Sequence, residues 1–323
     1  MPPPRLPRVL PPATFTKALL ANPHYLSPTA QIIPINATWF MPNDPKKRTG
    51  ITSHSRLRLP HSRFFDIDTV KDASINLPHM LPPSQVFVVA MRKLKIRRDD
   101  WLVFYDSYED GILAAPRAAW TARLMGHEGV SILNNFKTFV EGNVGPIAQG
   151  EEGLFDYEGR EIPKEDEYPE NIGVENDRVV AFDEVIGLAK ENLKEGDVDV
   201  TGIQILDARP GGRFTGKDPE PRPGLSSGHI PGSISIPFIS LLDAKDRTFL
   251  PPEQLRQVLE KAGVKDDGKT KIASCGTGVT ATVVELALEE AGFKETNGKR
   301  RVYDGSWTEW AQKADKDLIV KDA

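Results

Sequence analysis

Two kinds of apolar pattern alternate along the chain. Short apolar runs bounded by Gly, Pro, Asn or Asp predict buried strands, and apolar residues three and four apart predict helices packed by one face. In the second half, "GIQILDAR" (202–209) and "GSISIPF" (232–238) read as strands. "PPEQLRQVLEKAGV" (251–264) starts on proline, keeps helical spacing and nears its end at Gly263, so it reads as a helix. "KIASC" (271–275) is a short apolar strand. Residues 279–291 read as a helix with Val283, Val284, Leu286, Ala287 and Ala291 inward and Glu285, Glu289 and Glu290 outward. "RRVYDGS" is a last strand, and "SWTE" (306–309) has the form of a capping box opening a final helix.

The first half repeats this order. "IIPINATWF" precedes "RFFDIDTV"; then come a helical "PSQVFVVAMRKL", a strand "DWLVFYD", a helical "PRAAWTARLMG", a strand "VSILNN" and "FKTFV". Asn36 lies 171 residues before Asp207, and Arg58 lies 171 before His229, so both pairs align without a gap. Alternating strands and helices imply an α/β chain of mainly parallel sheets flanked by helices on both faces. Two domains of one architecture are expected, over residues 1–150 and 176–323, joined by an acidic linker over 151–175. Residues 151–170 carry nine acidic and two basic residues with little periodicity, and read as solvated. In such sheets ligands sit beyond the carboxyl ends of the strands.

Composition narrows the class. A length of 323 residues suits two domains, and 39% hydrophobic with 27% charged residues suits a globular chain. No apolar run approaches the ~20 residues that span a bilayer, and a net charge of −5 argues against a nucleic-acid surface. The first 43 residues hold no Asp or Glu but include Arg5, Arg8 and Lys17, a composition shared with mitochondrial transit peptides; five prolines among the first 11 residues oppose an amphipathic helix there. A flexible terminus is expected, in a cytoplasmic or mitochondrial protein.

The chain has one cysteine, Cys275. It allows no internal disulfide, no CxxC redox pair and no cysteine-based zinc site, and it suits a reducing compartment. A buried lone cysteine is commonly an apolar filler. Its neighbours point elsewhere: a strand, then Cys275-Gly276-Thr277-Gly278-Val279-Thr280, then a helix. Glycines let the backbone curl, and the first turn of a helix leaves N–H groups unpaired. Such a cradle favours an anion, whether a thiolate or a persulfide. The rival anion is phosphate, but cysteine-dependent phosphatases place an Arg six residues after the cysteine, where this chain has Ala281, and the loop holds no basic residue.

"CGTGVTA", "DAR", "EPRPGLSSGHIPGSISIPF" and "VYDGSWTEW" together resemble the two-domain rhodaneses, with 3-mercaptopyruvate sulfurtransferases nearest and thiosulfate sulfurtransferases next. The resemblance runs from about "INATWF" to "TEWAQ". It implies tandem rhodanese-like domains of which only the second is catalytic, since the first-half counterpart of Cys275 is Asp106 in "VFYDSYEDG". It further implies that Arg213 and Arg222, in "GGRFTGKDPEPRP", hold the carboxylate of mercaptopyruvate by their forked geometry. Related thiosulfate enzymes carry basic residues directly after the cysteine; here Gly276 and Thr277 are neutral. Mercaptopyruvate members also show an Asp, His and Ser set, matched by Asp68 in "FFDID", His79 in "LPHMLP" and Thr277, with Thr in place of Ser. His79, oriented by Asp68, would protonate the leaving pyruvate enolate through Thr277.

The expected reaction is ping-pong. The Cys275 thiolate takes sulfur from 3-mercaptopyruvate, the persulfide rests among the loop amides with Thr280 within reach of sulfur, and an external acceptor removes it. That acceptor is thioredoxin, a small thiol, cyanide or a sulfur-relay protein, since the chain has no resolving thiol. No metal or organic cofactor is implied, and neither is direct binding of nucleic acid or membrane. Thiosulfate:cyanide sulfur transfer, protein-to-protein relay towards tRNA thiolation and a non-catalytic binding module are the alternatives. His229 in "GHIPG", Trp307 and Trp310 read as structural.

Overall fold

The structure is a computed structural model that describes residues 5–21 and 24–322. Its contacts divide the chain into two units. The first takes the described residues up to Ala73, Leu81–Glu175 and Ala244–Thr248; the second takes Ser74–Met80, Asn176–Asp243 and the described residues from Phe249.

The first unit runs β1 (Val9–Leu10), α1 (Pro12–Leu20), β2 (Ile32–Asn36), α2 (Gly50–Arg56), β3 (Arg63–Phe64), α3 (Ser84–Lys93), β4 (Trp101–Tyr105), α4 (Ala115–Leu124), β5 (Val130–Leu133) and α5 (Phe136–Glu141). The second repeats the series: β6 (Val179–Val180), α6 (Phe182–Lys194), β7 (Gln204–Asp207), α7 (Gly211–Thr215), β8 (Ile234–Ser235), α8 (Pro252–Lys261), β9 (Lys271–Ser274), α9 (Ala281–Glu290), β10 (Arg300–Tyr303) and α10 (Ser306–Lys313). The strand orders are β1-β5-β4-β2-β3 and β6-β10-β9-β7-β8, parallel throughout. The α/β class and the doubled parallel sheet expected from the pattern are what the chain forms.

Helices on both faces bury both sides of each sheet, which is why the strands are continuous apolar runs. In β2 every residue is buried. Ile32 joins Leu10, Phe15, Val103, Tyr105, Phe136 and Phe139 in one core cluster, while Phe65 packs edge-on against Phe104 and against Phe87 of α3. The second unit has a matching cluster of Val180, Val185, Ile205, Ile272, Tyr303, Trp307 and Trp310. The 171-residue offset is kept in detail. Asn36 and Asp207 both end a strand, paired with Tyr105 and Ser274. Arg58 and His229 both form isolated antiparallel bridges, to Ala148 and Val320.

Three expectations fail. The flexible terminus is, over its described residues, folded: Val9 and Leu10 extend the sheet beside β5, Arg8 Nη1 donates to the Val130 carbonyl (3.1 Å), and Phe15 of α1 is fully buried. A two-residue strand supplies too little periodicity to be recognised. The acidic stretch is no solvated linker, since it belongs to the first unit and buries Leu154, Tyr157, Arg160 and Tyr168. Arg160 forks onto Asp100 (2.7 and 2.9 Å), both side chains having no exposure, and its remaining N–H groups go to the carbonyls of Ser27, Lys95 and Thr29. Nor does Glu285 face outward. Residues Ala281–Leu288 of α9 are buried all round, and the Arg300 guanidinium lies 3.8 Å from the Glu285 carboxylate. Among the described residues no helix is long and apolar enough to cross a membrane.

Candidate active site

Cys275 is the first residue beyond β9, the middle strand of its sheet, and is buried at 2% exposure. The backbone on either side of its Cα is tied to the start of α10. Its N–H donates to Ser306 Oγ (3.1 Å), and its carbonyl accepts from Trp307 N–H (2.9 Å). The Gly276 carbonyl accepts from both the N–H and the hydroxyl of Thr308 (2.9 and 2.7 Å). Ser306 is therefore no helix cap. It sits at φ +50°, fully buried, and its hydroxyl donates to the Tyr303 carbonyl (2.7 Å) while receiving Cys275 N–H. The local capping pattern loses to a partner 31 residues away.

The loop from Cys275 to α9 is short of acceptors. Among the described residues, the N–H groups of Gly276, Thr277, Val279, Thr280 and Ala281 donate to no protein acceptor. Gly278 holds φ +76°, a conformation that strains any side chain but lets the loop turn back on itself. The ten-residue α9 follows at once, adding partial positive charge at its first turn. N–H groups without protein acceptors, next to the start of a helix, can receive an anion.

Thr277 and His79 are both buried, and Thr277 Oγ1 lies 3.1 Å from His79 Nδ1. The imidazole is held at φ +59° within Ser74–Met80, the stretch that joins the second unit. Arg213, on α7, reaches over the loop: a Cβ added to Gly276 would stand 3.4 Å from its Nη2. That same Nη2 and the neighbouring Nε donate to Glu220 (2.5 and 3.0 Å), which leaves Nη1 without a described partner. Glu220 also accepts from Arg209 Nη1 (2.8 Å). Arg209 grips Asp207 through Nε and Nη2 and stacks 3.9 Å over the Trp307 ring.

Arg222 is half-buried in the turn after Glu220, and Val279 and Thr280 close the loop, the one buried and the other half-buried. Asp68 belongs to the first unit, where it accepts Trp39 Nε1–H (3.1 Å) and its own N–H donates to Asp66 Oδ1 (2.9 Å). Thus Cys275, Thr277, His79 and Arg213 belong to the second unit and Asp68 to the first. His229 is held between the Phe214 carbonyl and Asp197 (3.1 and 3.0 Å) and stacks on Phe214, a structural role. Trp307 and Trp310 are buried, with indole N–H groups on the Ser226 and Leu318 carbonyls. The sequence pattern gives Ser306 only a capping role and does not single out Thr308, Arg209 or Glu220. Arg209, Ser306 and Thr308 lie inside "DAR" and "DGSWTEW", but only the fold shows that these strand-end segments converge on Cys275.

The first unit carries a counterpart. Asp106 follows β4 as Cys275 follows β9. Its carboxylate accepts the N–H groups of Leu113, Ala114 and Ala115 (2.8 to 3.1 Å), at the start of α4. Burial pushes this carboxyl up to about 7 even though those N–H bonds favour its charged form.

Comparison with known proteins places these geometries in context. The family description "Rhodanese-like domain" matches residues 186–313. A thiosulfate sulfurtransferase of Saccharomyces cerevisiae, TUM1, is 37% identical over 90% of this chain and 92% of its own. A probable 3-mercaptopyruvate sulfurtransferase of Schizosaccharomyces pombe is 38% identical over 88% of this chain and 87% of its own. The crystal structure of the Tum1 protein from Saccharomyces cerevisiae superposes with a TM-score of 0.82 at 35% identity, covering 100% of this chain and 99% of that one.

Proposed function

Since the chain belongs to the rhodanese family of sulfurtransferases, we propose that it moves sulfane sulfur from 3-mercaptopyruvate to a thiol or cyanide acceptor through a persulfide on Cys275. The observation that carries this reading is the set of loop N–H groups without acceptors directly after the cysteine. They stabilise a thiolate before the reaction and a persulfide anion after it.

The Cys275 thiolate attacks the sulfur of the donor and forms an S–S bond. The donor's C–S bond breaks, and its electron pair leaves with the pyruvate enolate. Thr277 Oγ1, in contact with His79 Nδ1, passes a proton to that enolate. The unoccupied end of the Arg213 fork, with Arg222, holds the donor's carboxylate. An external thiolate then attacks the outer sulfur, leaves with it and returns Cys275 as thiolate. The acceptor is external because Cys275 is the chain's one cysteine. A reducing compartment, cytoplasm or mitochondrial matrix, keeps that thiol available. Neutral Gly276 and Thr277 favour a carboxylate donor over the compact thiosulfate dianion. The name of the Saccharomyces relative supports the second reading, thiosulfate as donor.

The test is kcat/KM on both donors with cyanide as acceptor. Mercaptopyruvate is expected to be favoured, and Arg222→Ala is expected to weaken it more than thiosulfate. A wild-type preference for thiosulfate would contradict the donor assignment.

A further inference from the structure

Glu220 occupies an unusual place for a carboxylate beside an anion site. Its side chain is 2% exposed, and two arginines converge on it. Oε1 accepts from Arg209 Nη1 and Arg213 Nε, and Oε2 accepts from Arg213 Nη2. Arg209 in turn is locked onto Asp207 and the Gly228 carbonyl. Asp207, Arg209, Glu220 and Arg213 therefore form one continuous, largely buried network in which two carboxylates cancel two guanidiniums. Arg213 emerges from it at 18% side-chain exposure, the only member that reaches Gly276, with no described partner on Nη1.

Two consequences follow from this arrangement. Glu220 aims the guanidinium, since the Nε edge cannot turn to the ligand while it is engaged. It also offsets the charge that Arg213 would otherwise present, because an opposite charge in direct contact in a poorly solvated site is barely screened. We propose that Glu220 is a positioning and specificity-determining residue, which holds the anchor network at zero net charge and so admits a monoanionic carboxylate donor while disfavouring a dianionic one. This rests on the reading of Arg213 as the donor's anchor.

Glu220→Gln and Glu220→Asp separate the two effects. Gln removes the charge but keeps the size. The gain in positive potential acts twice on thiosulfate and once on mercaptopyruvate, so the thiosulfate-to-mercaptopyruvate ratio of kcat/KM is expected to rise about tenfold. Loss of aim raises KM for both donors and cancels in that ratio. Asp keeps the charge but shortens the reach, so it is expected to raise KM for both donors while the ratio stays at its wild-type value. A ratio within about twofold of wild type in Glu220→Gln, with Arg213→Ala impaired on both donors, would overturn this inference alone. Arg213→Ala with wild-type kcat/KM would overturn the anchor reading and this inference with it. If Glu220→Gln does not fold, the wild-type enzyme still decides. With Arg222 beside the neutral network the anchor carries at most one positive charge, which predicts that kcat/KM for thiosulfate falls by no more than about threefold from about 0.05 to 0.5 M salt, and a fall beyond about tenfold would overturn the proposal.

Discussion

Asp106 and Cys275 stand at the same position in two copies of one fold, each the first residue beyond the middle strand of a five-stranded parallel sheet. One loop is closed on itself by a carboxylate that accepts three consecutive backbone N–H groups. In the other, the N–H groups of Gly276, Thr277, Val279, Thr280 and Ala281 have no described protein acceptor, and the strand end carries a thiol. The same strand-loop-helix geometry is thus satisfied from within in one unit and keeps open donors in the other.

Asp106→Ala strands those three N–H groups and opens a hole. A loss of about 2–4 kcal/mol is expected for the first unit, from unpaired buried donors. Asp106→Asn keeps one carbonyl oxygen as acceptor and is expected to lose less. Urea unfolding of wild type and both variants, followed by circular dichroism, measures both.

Ser306 holds the Cys275 backbone from just beyond the neighbouring strand β10. Ser306→Ala frees both Cys275 N–H and the Tyr303 carbonyl. Stability is expected to fall by about 1–2 kcal/mol, and kcat/KM by about tenfold as the cysteine loses its fixed position. An unchanged kcat/KM would show that this tether does not orient the thiol.

The Thr277–His79 contact predicts a graded series. Thr277→Ser keeps the hydroxyl and is expected to retain kcat within about threefold, whereas Thr277→Ala is expected to lower kcat about 10- to 100-fold with little change in KM. Equal activity of the Ser and Ala variants would remove the hydroxyl from the proton path.

Acid sensitivity follows from His127. Its Nε2 donates to the Asp100 carbonyl (2.8 Å), so Nδ1 accepts from the Tyr168 hydroxyl and the ring is neutral. Burial holds it down at about 4, and His54 at about 3. Both are depressed below the ordinary 6.5, so the unfolded chain takes up protons first as pH falls. The stability tied to neutral His127 is complete above pH 6.5 and is lost as pH drops from there towards 4, by about 1.4 kcal/mol per pH unit. Asp106, pushed up to about 7, acts in the opposite direction over the same range. Comparing wild type with His127→Gln cancels that contribution, and the variant's stability is expected to fall less steeply with acid by about one proton. Parallel stability-pH curves would contradict this account of His127.

Much of the architecture was legible because both units write it the same way. Alternating buried strands and one-faced helices repeat at a fixed offset, and Asn36 and Asp207 do end equivalent strands. The cysteine loop was legible from its glycines and its strand-to-helix seam. What stayed hidden depends on distant partners. Arg160 looks like one basic residue in an acidic stretch until Asp100, 60 residues earlier, closes on it. Ser306 looks like a cap until Cys275 N–H claims its hydroxyl. Glu220 looks like surface charge in a Gly- and Pro-rich loop until Arg209 and Arg213 fold over it. Local pattern records propensity, whereas these roles are set by contacts that exist only after the chain has closed.

The central claim is that Cys275 carries the transferred sulfur. Intact-mass and peptide-level spectrometry of the protein after treatment with 3-mercaptopyruvate or thiosulfate measures this directly. One sulfur atom, about 32 Da, is expected on the peptide containing Cys275, removable by cyanide and absent from Cys275→Ser. Release of pyruvate at the wild-type rate by Cys275→Ser, or turnover with no mass added to Cys275, would contradict the account.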